Sequence, residues 1–114
     1  MAYSWNSEPP SGRSPFWIRD EALSGMGLHV GDAVSVDTRA EPHDGDLVVV
    51  EVEVDGDSQR LARRYVELEP TRVRLEPVGG EAEPVEVDPA AMIVMGVIAA
   101  RLRFQAEQPI EDPL

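Results

Sequence analysis

Ser24, His29 and Asp32 stand in one short stretch, and hydroxyl, imidazole and carboxylate are the three groups of a nucleophilic triad. A triad needs those groups to converge in space, which nearness along the chain does not supply. The alternative is a serine in a glycine loop, an exposed histidine and an aspartate that completes a turn. His29, Asp32, His43, Asp44 and Asp46 offer the imidazole and carboxylate donors that bind divalent metals, at positions that equally suit solvated turns. Glu51, Glu53, Asp55 and Asp57 recur at every second position, as on the wet face of a strand. The acidic stretch 81–88 lacks the ligand spacing of a calcium loop. No metal site and no cofactor is expected. Two absences narrow the chemistry further. All ten basic residues are arginine, so the chain has no lysine amine, and it has no cysteine. A lysine base, thiolate nucleophiles, disulfides and thiolate metal sites are thereby excluded.

The elements that would position these groups read as strands. Phe16 to Arg19 is a short apolar segment. Asp20 to Leu28 is irregular, because Ser24-Gly-Met-Gly27 breaks any helix. Ala33 to Thr38 alternates, with Val34 and Val36 on one side. Leu47 to Val54 is the strongest strand, with Val48, Val50, Val52 and Val54 on one face and Val49, Glu51 and Glu53 on the other. Asp55-Gly56-Asp57 predicts a hairpin that returns through 60–66. Further short strands are expected over 72–76 and around Val85 and Val87, and Asp88-Pro-Ala-Ala could form one helical turn. Met92 to Phe104 reads as a long strand broken or bent at Gly96. Several strands with turn residues between them predict an all-β barrel or sandwich. Residues 1–15 are rich in Ser, Pro and Gly and read as a flexible arm that Trp5 could anchor. Residues 105–114 read as a flexible acidic tail, which leaves 16–104 as the folded domain.

A chain of 114 residues supports one modest core. Its formal net charge of −12 repels phosphate backbones and anionic lipid, so neither nucleic acid nor membrane is expected as a direct partner. The densest basic cluster, Arg60, Arg63 and Arg64, reads as a solvated strand end or as a docking patch for an acidic partner. No apolar run approaches the roughly 18 residues of a spanning helix, and no leader opens the chain. Together with the missing cysteines, this suits the cytoplasm.

Leu28-His-Val-Gly31-Asp32 and His43-Asp-Gly45-Asp46 each lead into a valine-rich strand. Arg60-Leu61, Val73-Arg-Leu-Glu-Pro77 and Gly96-Val97-Ile98 follow in order. From about Phe16 to Arg101 this ordered set resembles the C-terminal domain of the LexA and UmuD-type Ser–Lys autopeptidases. The resemblance implies a single, mostly antiparallel β-barrel or β-clip. It also implies a serine after the first strand and a lysine before the Arg-Leu pair. Counting back eight residues from Gly31 puts Leu23 at the serine's position, with Ser24 adjacent. Ser24-Gly-Met26 also resembles the Ser-Gly-Met that precedes the nucleophile, which would put Gly27 there instead. The lysine's position matches Gln59. Neither the Ala-Gly nor the Cys-Gly bond that such proteins cut is present, and no helix-turn-helix domain is expected ahead of the barrel.

A serine hydroxyl attacks only when a neighbour takes its proton. A buried lysine can do so because burial favours its neutral amine, whereas arginine stays protonated and glutamine has no basic nitrogen. The resemblance therefore implies a family member without catalytic residues, Leu23, Ser24 and Gln59 being degenerate positions. Such a domain would serve as a protein-interaction or regulatory module, possible partners being its own kind or proteins of DNA-damage response or transcription. A peptide cleft would involve Trp17, Leu23, Ser24, Met26 and Arg60, with Phe16 and Leu28 nearby. A homodimer would form through the strand carrying Met95, Val97 and Ile98. Two alternatives stay open: a serine peptidase using Ser24 with a base other than lysine, and an unrelated acidic β-barrel that binds a ligand.

Overall fold

Valine-rich segments punctuated by Gly-Asp and Asp-Gly turns fold into eight antiparallel strands in a computed structural model that describes residues 12–106 and 108–114. The strands are β1 (Arg13–Trp17), β2 (Ala33–Asp37), β3 (Leu47–Val54), β4 (Asp57–Glu69), β5 (Arg72–Glu76), β6 (Val85–Val87), β7 (Met92–Gln105) and β8 (Gln108–Asp112). Their spatial order is β1-β2-β7-β3-β4-β5-β6, with β8 also paired to β7. Single 3-10 turns form at Ser24–Met26 and Pro89–Ala91. The second is capped by Asp88, whose carboxylate accepts from the Ala90 N–H at 2.8 Å.

The all-β architecture matches the expectation, but the sheet is not closed into a barrel. Its two ends, β1 and β6, are not paired with each other. β6 is only three residues long and spans too little of β5 to carry the sheet round. The sheet instead folds over two cores. Ile18, Leu23, Leu28, Val34, Val36, Val49, Ala62 and Ile98 fill the first. Val48, Val50, Val52, Leu61, Tyr65, Val73, Leu75 and Met92 fill the second. β3 separates them, because side chains alternate across a strand and the run Val48-Val49-Val50 is apolar on both faces.

β7 reaches both cores through two bulges. Val49 pairs with Gly96 and Val50 with Val94, which leaves Met95 extra; Ser35 pairs with Ala100 and Val36 with Ile98, which leaves Ala99 extra. The first bulge shifts the alternation by one, so that Val94 and Val97 both pack on the second core while Met95 and Ile98 pack on the first. The bend expected at Gly96 has this cause. A Cβ at Gly96 would lie 2.5 Å from the Asp37 carbonyl oxygen and 2.5 Å from Val36 Cγ1, so only glycine lets β2 and β7 approach here.

Both limits of the folded domain and one placement differ from the sequence reading. β1 begins at Arg13, inside the segment read as an arm, because an edge strand tolerates Pro15. The remainder of that arm, with Trp5, lies outside the described residues. The tail read as flexible contains β8, which pairs with β7 from Arg101 to Gln105. Met95, Val97 and Ile98, expected on a dimer-forming edge, are interior. Val97 has β2 on one side and β3 on the other, Ile98 is buried, and β8 occupies the edge of β7 beyond β3.

Candidate functional site

The segment from Ile18 to Asp32 joins β1 to β2 and carries most of the expected site residues. It is fixed at both ends by backbone bonds between Ile18 N–H and the Asp32 carbonyl (2.8 Å) and between Gly31 N–H and the Ile18 carbonyl (3.0 Å). Its last turn and the one before β3 are built alike. The Asp32 carboxylate accepts from the His29 N–H at 2.9 Å, and the Asp46 carboxylate accepts from the His43 N–H at 2.8 Å. Each aspartate N–H returns a bond to its histidine carbonyl, and Gly31 and Gly45 sit at φ +92° and +93°, the left-handed position of a type II turn. The Gly-Asp pairs are therefore strand-starting turns. His29 Nδ1 faces Glu21 at 3.2 Å, and the Asp44 carboxylate accepts from the Glu67 N–H. The triad of Ser24, His29 and Asp32 is thus not assembled, and no cluster of three or more metal-binding side chains occurs among the described residues.

The middle of the segment rests on the loop that precedes β6. Gly25 N–H donates to the Val78 carbonyl and Val78 N–H to the Ala22 carbonyl, both at 2.6 Å. A Cβ at Gly79 would lie 2.6 Å from Gly25 N and 2.7 Å from Ser24 Oγ, so the two glycines permit backbone-to-backbone contact. On the other side, the Arg101 guanidinium donates to the carbonyls of Gly27 (3.1 Å) and Met26 (3.3 Å).

Leu23, at the position counted as the nucleophile's, is 1% exposed and belongs to the first core. Ser24 opens the 3-10 turn and faces the glycine loop. Gln59 lies in β4 opposite Val52 and lines an open cleft of about 390 Å³ together with Arg19, Asp20, Glu51, Ser58, Arg60 and Leu61. Neither Leu23 nor Ser24 lines this cleft, so the serine and lysine positions are not brought together there. Arg60 also borders an apolar pocket of about 130 Å³, formed with Ser14, Pro15, Phe16, Val36, Thr38, Val49 and Met95. Of the five residues expected in a peptide cleft, Arg60 alone lines these hollows. Leu23 is core, Met26 is exposed, and Trp17 stacks on Phe104 with ring centroids 6.3 Å apart.

The arginine cluster is not a free basic patch. Arg63 is 5% exposed and forks onto Asp20, with Nη1 to Oδ1 at 3.2 Å and Nη2 to Oδ2 at 3.0 Å; Nη1 also donates to the Ala62 carbonyl. Asp20 accepts from Ala22 N–H as well, so it ties the β1–β2 segment to β4. Arg60 pairs with Glu51 and Arg64 with Glu76, each at 3.5 Å. Arg63 could not have been recognised as buried from a run of charged residues. The short-range signal was the alternation of β4, which puts Leu61, Arg63 and Tyr65 on one face.

Residues 4–99 match the model of the Peptidase S24-like family, and the chain belongs to that family. No curated protein matches the chain. The resemblance drawn from the ordered turn-and-strand motifs is thereby supported. No helix among the described residues is long and apolar enough to cross a membrane.

Proposed function

We propose that this chain is a non-catalytic member of its family that binds an extended segment of a partner protein at the cleft where β4 meets the β1–β2 segment. The observation that carries this reading is the complete absence of lysine, which removes the amine base from the family's serine chemistry. The geometry agrees. The counted serine position holds a core leucine, and Gln59, at the lysine's position, faces a cleft whose carboxylates are held in ion pairs with arginine.

Such a cleft holds a strand rather than cuts it. Gln59, Arg19 and Arg60 supply donors and acceptors for a peptide backbone and its side chains, and the apolar pocket beside Arg60 accepts an aliphatic or aromatic side chain. The family suggests partners among copies of the chain itself or proteins of DNA-damage response and transcription, and the lack of cysteine suits a cytoplasmic setting. The test compares the tagged chain with its Arg60→Glu variant in capture of partners from source-cell lysate. A protein bound by the first and lost with the second, at unchanged thermal stability, is the expected result. The same set of proteins with both would defeat the cleft as the binding site.

A further inference from the structure

A second hollow, of about 400 Å³, lies at the end of β4 opposite the cleft, between that strand, the start of β5 and Pro89. It shares no lining residue with the cleft or with the apolar pocket beside Arg60. A bulge shapes it. Glu67 pairs with Val73 and Glu69 with Arg72, which leaves Leu68 extra. Glu67, Leu68 and Glu69 therefore all line the hollow, where a regular strand would turn the middle one away.

Tyr65 forms the floor. Its ring packs in the second core and the residue is 8% exposed, yet its hydroxyl makes no hydrogen bond to any described residue. Nor is that hydroxyl sealed in, so it opens onto the hollow that Tyr65 lines. A neighbouring charge is equally unmatched. The Glu67 carboxylate is exposed and has no cation in ion-pair reach among the described residues, because Arg72 is engaged by Glu86 and, at 3.9 Å, by Glu69. Burial raises the phenol's pKa and the Glu67 charge adds to it, so carboxylate and hydroxyl act on one part of the hollow.

The chemistry of a fitting ligand follows from what this lining rejects. Glu67 and Glu69 repel anions. A purely apolar group would strip water from the carboxylate and leave the hydroxyl unpaired. Two carboxylates with no third metal-binding side chain among the described residues make no metal cage. What suits the lining is a cation with several N–H donors on an apolar stem. A planar guanidinium donates to a phenol oxygen and a carboxylate at once, while its methylene stem lies along Leu68, Pro70 and Pro89. The net charge of −12 also draws a basic partner toward the chain.

We propose that this hollow receives an arginine side chain of a partner protein, with the Tyr65 hydroxyl and the Glu67 carboxylate as its acceptors. It is a contact separate from the cleft around Gln59 and Arg60.

The probe is acetyl-Gly-Arg-Gly-amide, beside the same peptide with citrulline, which keeps the shape of arginine and lacks its charge. Both are titrated into the labelled full chain and followed by amide NMR. The arginine peptide should bind with a millimolar Kd, as expected of one side chain, and shift the resonances of Tyr65 to Glu69, Val73 and Ala90. The citrulline peptide should leave them in place. Glu67→Gln and Tyr65→Phe should each weaken binding about fivefold, the size expected for a partly exposed ion pair or one hydrogen bond. Neither variant should lower the thermal midpoint at neutral pH, because neither side chain's polar group is bonded within the described fold. Equal binding of the two peptides, no shift at any concentration reached, or shifts scattered over the acidic surface and unaltered by Glu67→Gln overturns the proposal. Binding lost with Arg60→Glu and kept with Glu67→Gln also overturns it, by placing the peptide in the cleft.

Discussion

The turns that start β2 and β3 are the same device built twice: a histidine, a glycine at φ near +92° and an aspartate that closes on the histidine N–H. The segment between β1 and β2, immediately before the first of these turns, is built instead from packing and pairing contacts particular to this chain. There Leu23 is packed in the core, Asp20 clamps a buried arginine, and glycines lie against glycines. The difference separates two demands that a fold family places on its sequence. Turns and strand registers must persist for the sheet to form, whereas a nucleophile and its base contribute nothing to folding and can be replaced by residues that pack or pair.

The largest effects should come from the scaffold. Gly96→Val is expected to cost more than about 3 kcal/mol or to abolish folding, because the nearest obstruction is a backbone oxygen that cannot move aside. Urea denaturation measures it, and a wild-type midpoint would mean that β2 and β7 do not approach as described. Leu23→Ala should cost about 2–5 kcal/mol, as for other fully buried leucines. Ser24→Ala and Gln59→Ala should stay within about 0.5 kcal/mol, which sharpens the contrast between a position packed in the core and positions that carry little of the fold's stability. Asp20→Ala strands the Arg63 guanidinium. The expected loss is about 2 kcal/mol, below that of a fully buried pair because the Asp20 side chain is 44% exposed. A larger salt dependence in the variant than in the parent would contradict the clamp.

The smallest effect concerns pH. Burial, and secondarily the Glu67 charge, raise the Tyr65 phenol above its ordinary value. The unfolded chain therefore loses its phenolic proton first as pH rises. The stability that Tyr65 contributes is fully present below about pH 10 and declines above it. Tyr65→Phe should flatten that decline in denaturation midpoints measured across the alkaline range.

The strands that could be read from sequence were those whose faces differ. β3 and β5 appear at the expected residues, since Val48, Val50 and Val52 in the first and Val73 and Leu75 in the second recur at every other position on the face of the second core. β1 and β8 were obscured by composition. Each contains a proline and several polar residues, which an edge strand tolerates because one side of it makes no ladder. Glu111 looked like part of a solvated tail, and only the fold brings it to Ser35, 76 positions away in the chain. The barrel expected from the strand count depended on closure between β1 and β6, a long-range contact that no local pattern encodes. The absence of lysine was the most legible feature bearing on the candidate site, because a residue type missing from the whole chain needs no structure to interpret. The placement of Leu23 in the core and of Gln59 in a cleft required the tertiary contacts.

Intact mass of the full chain after prolonged incubation at neutral and alkaline pH, beside its Ser24→Ala variant, tests most directly whether the family scaffold persists here without its chemistry. The account predicts a single unchanged mass for both proteins at both pH values. Two fragments summing to the chain plus one water, formed by the parent and not by the Ser24→Ala variant, would contradict it.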